Sequence, residues 1–309
     1  VLPRLNEDVN EEWISDKSRF SCDGLRRQRL DKPYVRNAAG KLEPASWDDA
    51  FAAISAKVSG LSGERIAAIA GDQCDAESMF ALKGLMDALG SPHLDCRQDG
   101  AALDPSVRAG YLFNTGIAQS EDADVCLIIG SNPRWEAPVL NARIRKRWLE
   151  GGLSVGLVGT PTDLTYKADI LGAGAQTLKE IADGSHAFAE VLRTAKRPMM
   201  IVGMGALTRE DGIAVLAIAK SIADASDMIR PASEESEAWN GFNVLHTAAS
   251  RVGGLDMGFV PGEGGLDVAG IQAGAASGDI KLVYLLGADE MDLSGLGDAF
   301  VVYQGHPGD

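Results

Sequence analysis

Five short apolar runs in this chain end at a glycine followed by a polar turn, and that recurring order decides the fold class. The turns are Gly71-Asp72, Gly130-Ser131-Asn132-Pro133, Gly159-Thr160-Pro161-Thr162-Asp163, Gly203-Met204-Gly205 and Gly287-Ala288-Asp289. The runs before them are apolar throughout instead of alternating, as expected of strands covered on both sheet faces. Strands are predicted over Ile66–Ala70, Asp124–Ile129, Ser154–Val158, Pro198–Val202 and Lys281–Leu286, with a last short one over Phe300–Tyr303. Helical spacing marks Glu77–Leu89, Ala137–Glu150 and Asp211–Ala225 between them. Repeated strand–glycine–helix order implies parallel sheets, and there are strands enough for two. The expected fold is α/β, with two Rossmann-like doubly wound αβα domains.

The first 43 residues break this rhythm. They alternate charges with the turn signals Asp23-Gly24, Lys32-Pro33 and Asn37-Ala38-Ala39-Gly40, and read as an extended arm. Without a period of its own, the arm is expected to order only by burying Trp13 and Phe20 on the body. Ser46-Trp47-Asp48-Asp49 then forms a capping box opening a helix with Phe51, Ile54 and Val58 on one face. In Glu77–Leu89 the inward set is Met79, Phe80, Leu82, Leu85, Met86 and Leu89, with Gly90 as the stop. Val1 at the start and Gly305–Asp309 at the end look cut from something longer.

Charge narrows the partners. There are 44 acidic against 29 basic residues, a net charge of −15, which disfavours nucleic acid and anionic lipid. The longest apolar run, around Pro198–Leu207, is interrupted by glycines and falls short of the ~20 residues a spanning helix needs. A soluble chain without direct membrane insertion is expected. Cys22, Cys74, Cys96 and Cys126 form no C-x-x-C, so a reducing compartment is the natural setting.

No catalytic constellation stands out. Gly203-Met204-Gly205 begins like a dinucleotide fingerprint, but its next glycine is Gly212, which fails the spacing. His93 and Cys96 are three apart with no second pair to complete a metal site. His186, His246 and His306 have no adjacent nucleophile, and Asp289-Glu290-Met291-Asp292 reads as a solvated turn. If a nucleotide or pterin site exists, Gly130, Ser131, Asn132, Gly203, Gly205 and Gly287 would line it, because ligands of open parallel sheets sit at the carboxyl ends of strands. The helix around Arg143, Arg145, Lys146 and Arg147 is either a solvated face or an electrostatic contact with an acidic partner or with the arm.

One segment carries a resemblance. Val9–Arg29 (VNEEWISDKSRFSCDGLRRQR) is similar, nearly residue for residue, to a stretch of the large iron–sulfur subunits of respiratory NADH:quinone oxidoreductase, complex I. The likeness continues through Gly130–Pro138, Leu140–Trp148 (LNARIRKRW), Pro161–Tyr166 and Val302–His306, and covers essentially the whole chain. It implies a body like that of molybdopterin oxidoreductases, with residues 44–95 and 195–309 forming one discontinuous domain and 96–194 inserted as the second. In the true molybdenum enzymes a cysteine, selenocysteine or serine opens the inserted domain as a metal ligand. The matching stretch here, Asp99–Asp104, has none, and Cys96 and Ser106 are poor replacements. The arm's lone Cys22 cannot hold a cubane cluster, which needs four thiolates. The resemblance therefore implies no catalytic residue, metal or cofactor in this chain. It implies 2Fe-2S and 4Fe-4S clusters bound upstream of residue 1, and partners among the peripheral-arm subunits, including the NADH-binding side. The implied location is the cytoplasmic face of a bacterial inner membrane, or the matrix side in mitochondria. The region would be a scaffold that has lost molybdopterin chemistry. A weaker likeness at Lys196–Gly203, to the central domain of thiamine-diphosphate enzymes, is the third reading.

Overall fold

A computed structural model describes residues 1–233 and 237–306; the final stretch 307–309 read as cut lies outside the described residues. Its strands, in chain order, are β1 (Tyr34–Arg36), β2 (Leu42–Pro44), β3 (Ile66–Ala70), β4 (His93–Asp95), β5 (Val125–Ile129), β6 (Ser154–Val158), β7 (Asp169–Gly172), β8 (Pro198–Gly203), β9 (Ile229–Arg230), β10 (Trp239–Asn240), β11 (Phe242–Leu245), β12 (Leu282–Leu286) and β13 (Phe300–Gln304). Two parallel sheets carry the fold, one ordered β11-β8-β5-β6-β7 and the other β13-β12-β3-β4. The predicted strands fall within a residue or two of the observed ones. Every residue of β3, β5 and β8 is buried, as continuous apolar runs require.

The chain divides into two compact units. The first comprises Val1–Cys22 with Ala101–Thr247, the second Asp23–Gly100 with Ala248–Asp309. This corrects the expected boundary at residue 194. β8 hydrogen-bonds to β5 along its whole length, with Val125 opposite Pro198 and Ile129 opposite Val202, so 195–247 completes the first unit's sheet. Apolar continuity reveals that a run is a strand but not which neighbour it pairs with. The arm, too, is divided between the units, its first 22 residues belonging with the first.

Each sheet has its own core. In the first unit Cys126, Ile128, Ile144, Leu157, Leu164, Met199 and Ile201 form one cluster. In the second, Ile69, Ile271, Val283 and Leu285 pack with no exposed surface. Burying each such aliphatic side chain contributes roughly 1.5–3 kcal/mol. The helix Ala76–Leu89 is capped by Asp75 and stopped by Gly90 at φ +70°, and it buries Met79, Leu82 and Met86. Phe80 and Leu85 of the expected inward set are exposed instead. The capping box at Ser46 is present, its hydroxyl accepting from the Asp49 N–H at 3.1 Å. The helix it opens, Trp47–Val58, buries no residue, and Phe51 lies open to solvent.

Candidate functional site

In the first unit, β5 ends at Gly130, whose φ of +58° turns the chain away from the strand. The next residues offer a hydroxyl and a backbone N–H, and both donate to one carboxylate of the chain itself. Ser131 Oγ lies 2.7 Å from Glu136 Oε2, and Asn132 N–H donates to Glu136 Oε1 at 2.8 Å. Asn132 Nδ2 donates to Thr162 Oγ1 at 2.8 Å, tying in the turn that follows β6, while Arg134 pairs with Asp163 at 2.6 Å. A phosphate at this turn would need the donors that Glu136 already holds.

The glycines after β8 have a packing reason. A Cβ on Gly203 would stand 2.5 Å from Ser131 Cβ and 2.7 Å from Gly130 O, and one on Gly205 also 2.7 Å from Gly130 O. A Cβ on Gly130 would in turn meet Ala206 Cβ at 2.5 Å. Two βα turns press backbone against backbone here, and only glycine fits. Five candidate lining residues, Gly130, Ser131, Asn132, Gly203 and Gly205, thus come together in one unit. Gly287 belongs to the other, where a Cβ on Gly71 would stand 1.9 Å from its carbonyl oxygen.

The candidate metal residues do not converge. His93 is a satisfied core residue, its Nδ1 accepting from Leu266 N–H at 3.0 Å and its Nε2 lying 3.3 Å from Glu64 O. Cys96 is 1% exposed, and burial pushes its thiol up to about 12, so it is neutral and a poor ligand. Ser106 Oγ donates to Asp104 at 2.6 Å. His186 caps the helix Ala187–Thr194, and His246 Nε2 lies 2.7 Å from Tyr111 O. Among the described residues no group of three or more His, Cys, Asp or Glu side chains could hold a metal ion.

Two residues that sequence reasoning missed organise these regions. Glu136 is one; the spacing Ser131-Asn132-Pro133-x-x-Glu136, close to a capping box, was its signal. Arg251 is the other. It has no exposed surface, and its Nη2 contacts Asp72 at 3.2 Å and Asp99 at 3.0 Å, with Nε donating to Cys96 O at 3.1 Å. A lone arginine within the small-residue run Ala248–Gly254 was the only hint. Arg251 ties the turns after β3 and β4 to its own helix.

The four cations of the basic helix Pro138–Leu149 find partners within their own unit. Arg143 is 4% exposed, pairs with Glu121 at 3.1 Å and donates to the Glu7 carbonyl in the arm. Lys146 pairs with the arm's Glu11 at 2.8 Å and with Glu121 at 2.9 Å. Arg145 and Arg147 donate to the carbonyls of Thr165 and Ala123. The contact with the arm is therefore ionic and polar. The expected burial of Trp13 and Phe20 is overturned, for they are 56% and 71% exposed. Apolar content alone misled, because the nearest body surface offers cations and the arm answers with the Glu7 backbone carbonyl and the Glu11 carboxylate.

The hydrogen bond from Lys146 holds the Glu11 carboxyl below its usual range, and the two carboxylates raise Lys146. The latch is thus complete above the ordinary carboxylate range and is lost as pH falls through Glu11's lowered value; at high pH it persists until Lys146 deprotonates. Glu11→Ala removes the arm carboxylate that pairs with Lys146. Limited proteolysis of the arm is expected to quicken roughly tenfold, about one charge-assisted hydrogen bond, whereas Trp13→Ala leaves the rate unchanged. Equal rates in wild type and Glu11→Ala would mean that this pair does not hold the arm.

The sequence matches two family models. The Molybdopterin oxidoreductase family model covers residues 29–309, and that of the NADH-ubiquinone oxidoreductase NDSU1/NuoG-like 4Fe-4S domain covers residues 1–23. An NADH-quinone oxidoreductase subunit of Rickettsia bellii is 47% identical over 309 residues, all of this chain and 43% of that protein. The mitochondrial NADH dehydrogenase [ubiquinone] iron-sulfur protein 1 of Solanum tuberosum is 44% identical over 310 residues, all of this chain and 40% of that protein. The chain thus spans about two fifths of the length of these relatives. The Lys196–Gly203 segment lies inside the longer family match and inside the five-stranded sheet, which leaves the thiamine-diphosphate reading without support. With two parallel α/β units and a family match over residues 29–309, the chain belongs to the molybdopterin oxidoreductase family.

Proposed function

We propose that this chain is a cofactor-free scaffold within a large iron–sulfur subunit of NADH:quinone oxidoreductase, the complex that passes electrons from NADH to quinone and couples this to ion translocation. Support for the parent complex comes from relatives that match over the whole of this chain and from the 4Fe-4S domain match at residues 1–23. The clusters, 2Fe-2S and 4Fe-4S, would be bound upstream of residue 1, and the latch at Arg143 and Lys146 would hold the last part of the cluster domain on the first unit. Partners would be other peripheral-arm subunits, including the NADH-binding side. The complex would sit at the cytoplasmic face of a bacterial membrane or the mitochondrial matrix side. No helix among the described residues is long and apolar enough to cross a membrane.

Family membership raises the question of molybdopterin, and the residues do not fit it. The observation that carries this is the occupied turn after β5, where Glu136 takes the Ser131 hydroxyl and the Asn132 N–H. At the position matching the metal ligand, Asp99 is paired to buried Arg251, and Cys96 is a buried neutral thiol. No catalytic step is assigned to Gly130, Ser131, Asn132, Gly203, Gly205 or Gly287, whose roles are those of turn and close contact. Plasma mass spectrometry of the dialysed chain is expected to find molybdenum, tungsten and iron each far below one per chain. Stoichiometric molybdenum surviving dialysis would sink the scaffold reading.

A further inference from the structure

Between residues 26 and 41 the charge of this acidic chain reverses. Arg26, Arg27, Arg29, Lys32, Arg36 and Lys41 face a single acid, Asp31, a local net of +5; with −15 overall, the remainder carries −20. All six cations are exposed. Arg26, Arg27, Arg29 and Lys41 make no ion pair among the described residues, and Lys32 only approaches Asp31 at 3.6 Å. Acidic residues resume at Glu43, Asp48 and Asp49.

Six like charges crowded on one segment repel one another, so folding alone does not account for them. Among the described residues the Leu30 N–H donates to His306 O at 2.9 Å, and β1 pairs with β2 over three residues. Large exposed side chains flank the cations and lie among them. Leu25 is 68% exposed, Tyr34 40% and Leu42 48%. Beside the β1–β2 hairpin runs the helix Trp47–Val58, which buries none of its residues and sets Trp47 against Phe51 in a tilted pair, 5.7 Å between ring centroids. Exposed arginine and aromatic side chains are the composition of a protein–protein contact.

We propose that this face of the second unit, cations 26–41 with Trp47 and Phe51, docks an acidic surface of another protein subunit. The inference rests on reading the chain as part of a multi-subunit assembly. Charge complementarity selects the occupant. A lipid surface or a nucleic acid extends its negative charge past the patch and meets the −20 of the remainder, whereas a folded partner can present a matching local acidic patch.

Zero-length carbodiimide coupling on the purified assembly containing the longer subunit, read by peptide mass spectrometry, tests this. The expected result is Lys32 or Lys41 joined to an aspartate or glutamate of a different polypeptide. Arg26→Glu with Arg27→Glu and Arg29→Glu is expected to weaken retention of that polypeptide at least tenfold while leaving the melting temperature unchanged. If the assembly forms and both lysines remain uncoupled and freely acetylated, or couple only within their own chain, the docking inference falls and the subunit reading stands. If no other polypeptide assembles with the longer protein, both fall. Tight binding of the isolated chain to phosphatidylglycerol vesicles or duplex DNA, abolished in the triple variant, would overturn the choice of a protein partner.

Discussion

Arg251→Met is expected to destabilise the second unit by about 3–5 kcal/mol, the usual cost of removing one member of a buried ion cluster. In thermal melting this is a fall of roughly 6–20 °C for a unit of this size. Arg251 has no exposed surface, while the side chains of Asp72 and Asp99 keep only 12% and 24% of theirs. Methionine can fill much of the volume, so the loss isolates the charge that Arg251 supplies to Asp72 and Asp99. Arg251→Lys is expected to fall between, because an ammonium cannot reproduce the spread of donors to Asp72, Asp99 and the Cys96 carbonyl. The mechanism makes a sharper demand. Adding Asp72→Asn and Asp99→Asn to Arg251→Met should recover part of the loss, since the carboxylate charge is then gone. A triple variant no more stable than Arg251→Met would show that packing, not charge, was lost.

The contrast between what the sequence disclosed and what it hid follows from the physics of each element. β3, β5, β6, β8 and β12 were legible because a strand buried on both faces must be apolar at every position, and a glycine must follow where the chain turns sharply; β13, a half-exposed edge strand, showed by its run of β-branched and aromatic residues. β4, β7 and β11 were not, being three or four residues long, with Asp95 in β4 and Asn243 in β11. Asn243 is fully buried, donating to Thr115 Oγ1 at 2.8 Å and Met200 O at 3.1 Å, a satisfaction that composition does not announce. The boundary between units was hidden because strand pairing is a long-range choice. At the candidate site the glycines were visible, but their meaning was not. A glycine that admits a phosphate and one that admits a neighbouring backbone look the same in sequence, and only the distance from Gly203 to Gly130 O separates them.

That distinction can be measured with three alanine substitutions. Gly130→Ala combines two penalties. Its φ of +58° costs an alanine roughly 1–2 kcal/mol, and its Cβ would lie 2.5 Å from Ala206 Cβ and 2.7 Å from Ala206 N, an overpacking of roughly 1–3 kcal/mol more. Gly203→Ala has an ordinary φ of −98°, so it reports the overpacking alone, against Ser131 Cβ at 2.5 Å and Gly130 O at 2.7 Å. Gly287→Ala reports backbone strain nearly alone, with φ +53° and the Cys74 sulfur 3.3 Å away as its nearest neighbour. Denaturant unfolding is therefore expected to rank Gly130→Ala as most costly, at about 2–5 kcal/mol, with the other two each accounting for a part of it. Packing as the reason for these glycines requires that Gly203→Ala lose stability in the absence of any added ligand. If instead Gly203→Ala unfolds within about 0.5 kcal/mol of wild type, the scatter of an innocuous surface change, then the two turns do not press together and the space is free for something else to enter.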